Sequence, residues 1–259
     1  MPPDCAIILF DIFVCSFSED FSRMRMRNKK NLIPRMEKCA AVQVFRPEEL
    51  RGRWAELLPG CAQVRAEMGC GKGQFTAGVA HQSPDALIVA LEKVPNAMVT
   101  AMERACAEEL QNVRFIDTDV VRLREIFAPG EVSVIYINFP DPWPRKKEAK
   151  HRLTAPSFLA MYWDILPVGG RIEYKTDQPW LFEWSLEQFR FMGFQLSEIT
   201  RDLHADGVTG IMTNYEARFH EQGVPIHRCV ATKTEDRPAT PVPEKKRSAD
   251  GEAAGDETP

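Results

Sequence analysis

Strand-length apolar runs that alternate with helix-period segments can close on themselves in few ways, and this chain repeats the alternation along most of its length. Gln63–Glu67, Ala86–Glu92, Val113–Ile116, Val132–Asn138 and Arg171–Lys175 have strand length and apolar character. Between them lie helical segments at Gln74–His81 and Asn96–Leu110, a helical turn at Arg122–Phe127, and a helix at Pro156–Leu166. Trp180–Met192 follows the fifth strand. The helical spacing is clearest in Asn96–Leu110, with apolar residues at 97, 98, 101, 102, 105, 106 and 110. Strands joined by helical crossovers predict an α/β domain with a largely parallel sheet and helices on its faces. Phe194–Ile199 and Arg228–Lys233 read as the last strands, around an irregular loop at 201–216. Thr154 is read as the N-cap of the Pro156 helix and Asp177 as that of the Trp180 helix. Pro47–Leu58, opening on proline and two acids, reads as a short helix.

Sheets of this kind bind ligands at the carboxyl ends of their strands. Acids stand at or just beyond those ends: Glu67, Glu92, Asp119, Asp141 and Asp177. Between the first strand and the first helix lies Gly69-Cys-Gly71-Lys-Gly73, a turn whose backbone can approach a ligand. The spacing is GxGxG, neither the GxGxxG dinucleotide fingerprint nor a P-loop, so Lys72 is not expected to grip a triphosphate. Glu92 follows Gly73 by 19 residues, where a carboxylate can accept both hydroxyls of a ribose. Asp119 could take an adenine amino group, or serve only as a turn or helix cap. Glu67 beside the glycine loop would attract a sulfonium or amino group and repel a pyrophosphate. That favours S-adenosylmethionine over NAD as the ligand.

The net charge of −4 looks wrong for a nucleic-acid partner until it is divided. Residues 1–23 carry four acids against Arg23, and residues 234–259 carry seven acids against four bases, so each end contributes −3 and residues 24–233 keep +2. The positive charge is clustered at Arg23, Arg25, Arg27, Lys29 and Lys30 and again at Arg145, Lys146, Lys147, Lys150 and Arg152. Such clusters are either solvated faces or nucleic-acid contacts. Seven cysteines in no CxxC pair read as reduced thiols of a cytoplasmic protein, without a metal site. The apolar run Cys5–Phe17 is too short to span a bilayer and is interrupted by Asp11. Residues 1–23 are therefore expected to be a poorly ordered extension, which a start at Met24 or Met26 would leave out. Residues 24–46 are expected to form a basic arm, 47–233 the catalytic domain, and 234–259 a disordered tail.

The most distinctive stretch is Val134–Arg152, VIYINFPDPWPRKKEAKHR: a strand, a rigid proline and aromatic loop holding Asp141, then dense positive charge. Together with EMGCGKGQF (67–75), ALEK (90–93), HRL (151–153), YKTD (174–177), LFE (181–183), IMTNYEARF and GVPI (211–226), it closely resembles the bacterial tRNA (guanine-N7-)-methyltransferase family. The resemblance covers roughly residues 24–233. It implies a Rossmann-like, seven-stranded, mostly parallel sheet of the class I methyltransferase type. It also implies S-adenosylmethionine as cofactor, tRNA as partner, and methylation of N7 of guanine 46 in the variable loop.

Carried over by position, the resemblance assigns Glu67, Gly69, Gly71, Glu92, Asp119 and Asp141 to the cofactor site and Asp141 also to catalysis. Arg145, Asp177, Thr213 and Glu216 would contact the target nucleotide, and Lys147, Lys150 and Arg152 the RNA backbone. The chain departs from the family pattern at Arg145, often Lys; at His151, where a base is common; and at Asn214, often an acid. Asp141 could either stabilise charge on the methylated ring or accept hydrogen bonds from the guanine N1 and N2 edge. Trp143 could stack on a base or on the cofactor, or pack on the core. Two rivals remain distinguishable: a nicotinamide oxidoreductase would bind NAD, and a non-catalytic RNA-binding relative would have a broken cofactor pocket. Whether the protein is a monomer or a homodimer stays open.

Overall fold

The computed structural model describes residues 31–235. The expectations for residues 1–23, the basic run at 23–30 and nearly all of the tail lie outside the described residues. Seven strands form one sheet: β1 (Gln63–Met68), β2 (Ala86–Glu92), β3 (Val113–Asp117), β4 (Val132–Asn138), β5 (Arg171–Thr176), β6 (Gln195–Thr200) and β7 (His227–Thr232). Their order is β3-β2-β1-β4-β5-β7-β6. The pairings from β3 across to β5 are parallel, and β7 runs antiparallel to both of its neighbours. The order reverses between β1 and β4, so crossovers leave for opposite faces there and a crevice opens at the carboxyl ends.

The helices are α1 (Leu32–Lys38), α2 (Gln74–Gln82), α3 (Pro95–Ala107), α4 (Leu123–Ile126), α5 (Pro156–Ile165), α6 (Pro179–Phe191) and α7 (Asn214–Glu221), with short 3-10 turns besides. Alternate strand residues supply two cores. Val64, Ala66, Leu87, Val89, Ile135 and Ile137 pack with Leu159, Trp163, Phe182 and Phe189 on the α5 and α6 side. Ile88, Ala90, Val134 and Tyr136 pack with Phe75, Val79, Met98 and Met102 on the α2 and α3 side. Every residue of β2 is buried, as a central parallel strand covered on both faces requires. On the second face α3 comes close to the glycine loop at Gly73, where a Cβ would lie 2.6 Å from that of Ala101. Any side chain there would force α3 off the glycine loop.

Several local expectations are corrected. Over its described part, the arm expected at 24–46 lies against the sheet domain. Arg35 forms a two-pronged ion pair with Glu103 of α3, and Val44 N–H donates to the Phe115 carbonyl at 2.9 Å. Residues 31–46 thus cover the β3 edge, which would otherwise offer unpaired backbone groups. Pro47–Leu58 is not one helix but two 3-10 turns, Pro47–Leu50 and Trp54–Leu57, parted by Gly52 at φ 78°. Thr154 does not cap α5; its hydroxyl is buried against the Ser185 hydroxyl at 2.7 Å, and Ala155 is the cap residue. Asp177 does not cap α6, whose N-cap is Gln178. In both helices a proline opens the first turn, and its missing N–H leaves less for a side-chain cap to satisfy.

One buried amide ties the amino-terminal end of the sheet together. Asn112, just before β3, donates from Nδ2 to the carbonyls of Ala80, Ser83 and Ala86 at 3.0, 3.0 and 3.1 Å. Asn112→Ala strands those acceptors and is expected to lower unfolding free energy by about 1–3 kcal/mol, read from urea denaturation.

Candidate active site

The glycine loop is fastened to β2. Gly69 and Cys70 both donate to the Leu91 carbonyl, at 2.9 and 3.0 Å, and Gly71 donates to Glu92 Oε2 at 2.9 Å. Gly71 sits at φ 57°, and nothing lies within 4 Å of a Cβ placed on it or on Gly69. A concave backbone surface faces open space there. Glu92 Oε1 accepts from Val94 N–H at 2.9 Å, so each oxygen holds one backbone donor and keeps a further lone pair for a ligand. Beyond β3, the Thr118 hydroxyl is buried without a hydrogen-bond partner. Asp119 beside it is exposed and caps the Val120–Arg122 turn by accepting from Val121 N–H at 3.2 Å. It lies two residues past the strand, and the cap reading given to it is the one these contacts bear out.

Glu67 lies deeper, wholly withdrawn from water at the end of β1. Thr76 donates to Oε2 at 2.6 Å and Asn138 to Oε1 at 3.4 Å. Burial pushes its pKa up to about 7, against the hydrogen bonds from Thr76 and Asn138. An acid so placed gains from a cation brought against it. Open glycine backbone, a ribose-competent carboxylate, an orphaned hydroxyl and a buried acid together fit a nucleoside that carries a positive charge.

The Asp141 loop leaves β4 across from these groups. Phe139 N–H extends the ladder to the Lys175 carbonyl at 2.9 Å. Phe139 then turns left-handed at φ 50°, and Trp143 does so again at φ 45°, each just before a proline. Non-glycine residues pay roughly 1–3 kcal/mol each for such a conformation. Asp141 stands exposed between them. Trp143 neither packs on the core nor stands wholly free; its ring is partly buried, 5.3 Å from the His151 ring. Asp177 enters the same space from β5, and both carboxylates bear on the Tyr215 hydroxyl, whose pKa is raised first by desolvation and then by their charge.

The segment 201–216 closes this end of the sheet. Gln74 reaches the Met212 carbonyl at 3.3 Å, and Ile211 packs where a Cβ on Gly78 would collide with it at 2.6 Å. Tyr215 and Phe219 of α7 bring their rings to 6.0 and 6.4 Å from Phe139. Beneath them Lys175 Nζ donates to both oxygens of Glu216 at 3.0 Å and to the Ile211 carbonyl at 3.0 Å. His204 Nδ1 accepts from Thr209 N–H at 3.2 Å, which leaves the proton on Nε2 to donate to Glu216 at 3.0 Å.

Of the expected nucleotide contacts, Arg145 and Asp177 are accessible, but Thr213 and Glu216 are engaged elsewhere. They form the capping box of α7: Thr213 Oγ1 accepts from Glu216 N–H at 2.9 Å, and Glu216 returns a bond to Thr213 N–H at 3.2 Å. Glu216 is fully buried. The T-x-x-E spacing of a capping box is legible in the sequence and was the signal for this role. Lys147 and Lys150 are exposed, whereas Arg152 is only 6% exposed and its guanidinium is engaged by the Asp141 loop. Sequence reasoning gave no role to Lys175, His204, Asn138 or Thr76. A lysine at the carboxyl end of an otherwise buried strand was the available sign of the first. Among the described residues there is no cluster able to hold a metal ion and no helix long and apolar enough to cross a membrane.

Comparison with known proteins accords with this geometry. The family described as "Putative methyltransferase" matches residues 62–229. The tRNA (guanine-N7-)-methyltransferase of Listeria innocua is 38% identical over 209 residues, covering 80% of this chain and 98% of its own. That of Streptococcus suis is 39% identical over 209 residues, covering 80% and 99%. Among solved structures, the 16S rRNA methyltransferase KamB superposes with a TM-score of 0.57 at 19% identity, over 71% of this chain and 94% of that one, which bears on the fold alone.

The buried pair is the joint of the site. Lys175→Met or Glu216→Gln alone is expected to destabilise by about 3–5 kcal/mol, because each leaves a buried charge unmatched. The double variant should lose about 2–3 kcal/mol less than the sum, measured by denaturant unfolding. Additive losses would show that the two groups do not pair.

Proposed function

Because the chain belongs to the tRNA (guanine-N7-)-methyltransferase family, we propose that it transfers the methyl group of S-adenosylmethionine to N7 of a guanine in tRNA, at position 46 of the variable loop. The observation that carries the reading is the exposed Asp141, set between two left-handed residues just past β4, the strand whose last residue Asn138 donates to Glu67 beside the glycine loop. The free thiols of Cys39, Cys61, Cys70, Cys106 and Cys229 suit the reducing cytoplasm where tRNA is modified.

Glu92 would hold the ribose hydroxyls of the cofactor, Thr118 and Asp119 the adenine edge, and Gly69, Gly71 and Glu67 its cationic amino-acid end. When bound, S-adenosylmethionine supplies an electrophilic methyl on a sulfonium. Guanine N7 bears no proton and already presents a lone pair, so the protein needs no strong base. It needs placement, which accounts for roughly 7–11 kcal/mol of barrier when reacting groups are well oriented. Asp141 faces the incoming ring, either stabilising its growing positive charge or accepting from its N1 and N2 edge. Asp177 and Arg145 would hold the nucleotide against it, on a floor formed by the first turn of α7. Thr213 and Glu216 serve that contact by fixing the turn.

An A-form RNA major groove is too deep and narrow for side chains to reach N7, so the base is offered from a loop or splayed out. Lys147 and Lys150 on the exposed Lys146–His151 turn would take flanking phosphates.

Incubation with labelled S-adenosylmethionine and unmodified tRNA, then borohydride and aniline cleavage, should cut the tRNA at one variable-loop guanine. Asp141→Ala should abolish that cut while the protein stays folded; a tRNA left uncut by the parent protein would overturn the function itself. In a separate measurement, Lys147→Glu with Lys150→Glu should weaken tRNA binding and reduce the salt slope by about two. Affinity unchanged at both low and high salt would remove this turn from the RNA interface.

A further inference from the structure

Arg152 closes the basic run yet faces away from solvent, and its surroundings give it other work. We propose that Arg152 is a positioning residue that holds the Asp141 loop in its catalytic shape, rather than a contact to the RNA backbone; the proposal rests on the methyl-transfer reading above. Its Nε donates to the carbonyls of Pro142 and Trp143, both at 3.2 Å, and its Nη2 to that of Trp143 at 3.0 Å. The guanidinium lies over two indole rings, with Cζ 4.9 Å from the Trp180 ring centroid and 4.4 Å from that of Trp184. Both tryptophans belong to α6, the helix that follows Asp177.

The location of these bonds is informative. The carbonyl that Arg152 holds twice belongs to Trp143, one of the two left-handed residues of the loop. The other, Phe139, is held by its N–H on the Lys175 carbonyl and by the rings of α7. Asp141 is therefore suspended midway between two anchors, two residues from each. A conformation disfavoured in its own backbone persists only where the surroundings over-determine it. The carboxyl-side anchor is a planar ion that donates in its plane and stacks on its faces, and lysine reproduces neither feature. A phosphate role would require Arg152 to leave two indoles and three hydrogen bonds. Lys147 and Lys150 meet that need from the exposed side without any such loss.

The test compares R152K and R152A with the parent chain, using saturating S-adenosylmethionine and unmodified tRNA. Misplacement of Asp141 should lower kcat by about 10- to 100-fold while the tRNA Kd stays within about twofold and keeps its salt slope. Millimolar guanidinium should restore part of the R152A rate by refilling the slot between the indoles, and ammonium should not. R152K retains the aliphatic stem and the charge, so it reads the rate even where thermal melting shows R152A unfolded. A parental kcat with weakened tRNA binding and a salt slope reduced by about one would overturn the proposal in favour of a phosphate contact. Parental kcat and parental affinity in R152K would overturn it outright. A parent protein that methylates no tRNA would instead defeat the underlying reading, so the two failures are distinct.

Discussion

Glu216 carries its carboxylate into a place that water does not reach, and the open end of the sheet is organised around satisfying it. Lys175 supplies the opposite charge from β5, His204 supplies an N–H from the returning loop, and the backbone of Thr213 supplies another. Burial alone would pull the Lys175 pKa down, and the Glu216 carboxylate works against that pull. A pair of this kind adds little net stability compared with apolar packing, but it specifies geometry. The arrangement of the 201–216 segment that satisfies the carboxylate brings His204 and the Thr213 backbone to it. That arrangement sets Ile211 on Gly78 of α2 and Tyr215 over the Asp141 loop. The cofactor side and the base side of the crevice are thus joined through one buried ion pair.

Glu67 is a buried acid with the opposite treatment. It has neutral donors in Thr76 and Asn138, and its pKa rises to about 7 chiefly through desolvation. An acid whose folded pKa lies above its ordinary value favours the fold while protonated. That contribution is complete below about 4.5 and is lost as pH rises through 7. Burial thus disfavours the charged form of this carboxyl, and a cation brought against it would favour that form. The buried acid Glu67 has only neutral donors against it, whereas the charge of Glu216 is matched internally by Lys175.

Much of this was legible in the sequence, and the rest was hidden for identifiable reasons. Strand positions and the parallel order followed from alternation, because a helix between two strands leaves few other arrangements. The glycine loop and Glu92 followed from their spacing. Thr154 and Asp177 were misread as caps because a good capping residue two positions before a helix-opening proline looks the same wherever its side chain goes. Thr213 and Glu216 were assigned to the nucleotide although their own spacing spells a capping box, a local hydrogen-bond pattern that needs no ligand to explain it. Arg152 was counted with its basic neighbours because charge patterning records sign and not direction. Its distinction from Lys150 depends on Trp180 and Trp184, which lie some thirty residues further along the chain. Interactions of that range leave no local mark.

The loop itself explains why so much structure serves one exposed carboxylate. A reaction that removes a proton can be driven by shifting the pKa of a base, and burial near the reacting atom is then the natural device. Attack by guanine N7 offers no such lever, because there is no proton to take. What remains is geometry, and geometry on a loop has to be enforced from both ends. Three prolines fix φ at alternate positions across Pro140–Pro144 but cannot set the angle at which the loop leaves the sheet. Phe139 and Trp143 set it by turning left-handed, and each is held there by groups outside the loop: β5 and α7 for the first, Arg152 and α6 for the second. The carboxylate itself is exposed, and an acceptor that met it from solvent would find it placed by residues elsewhere in the fold.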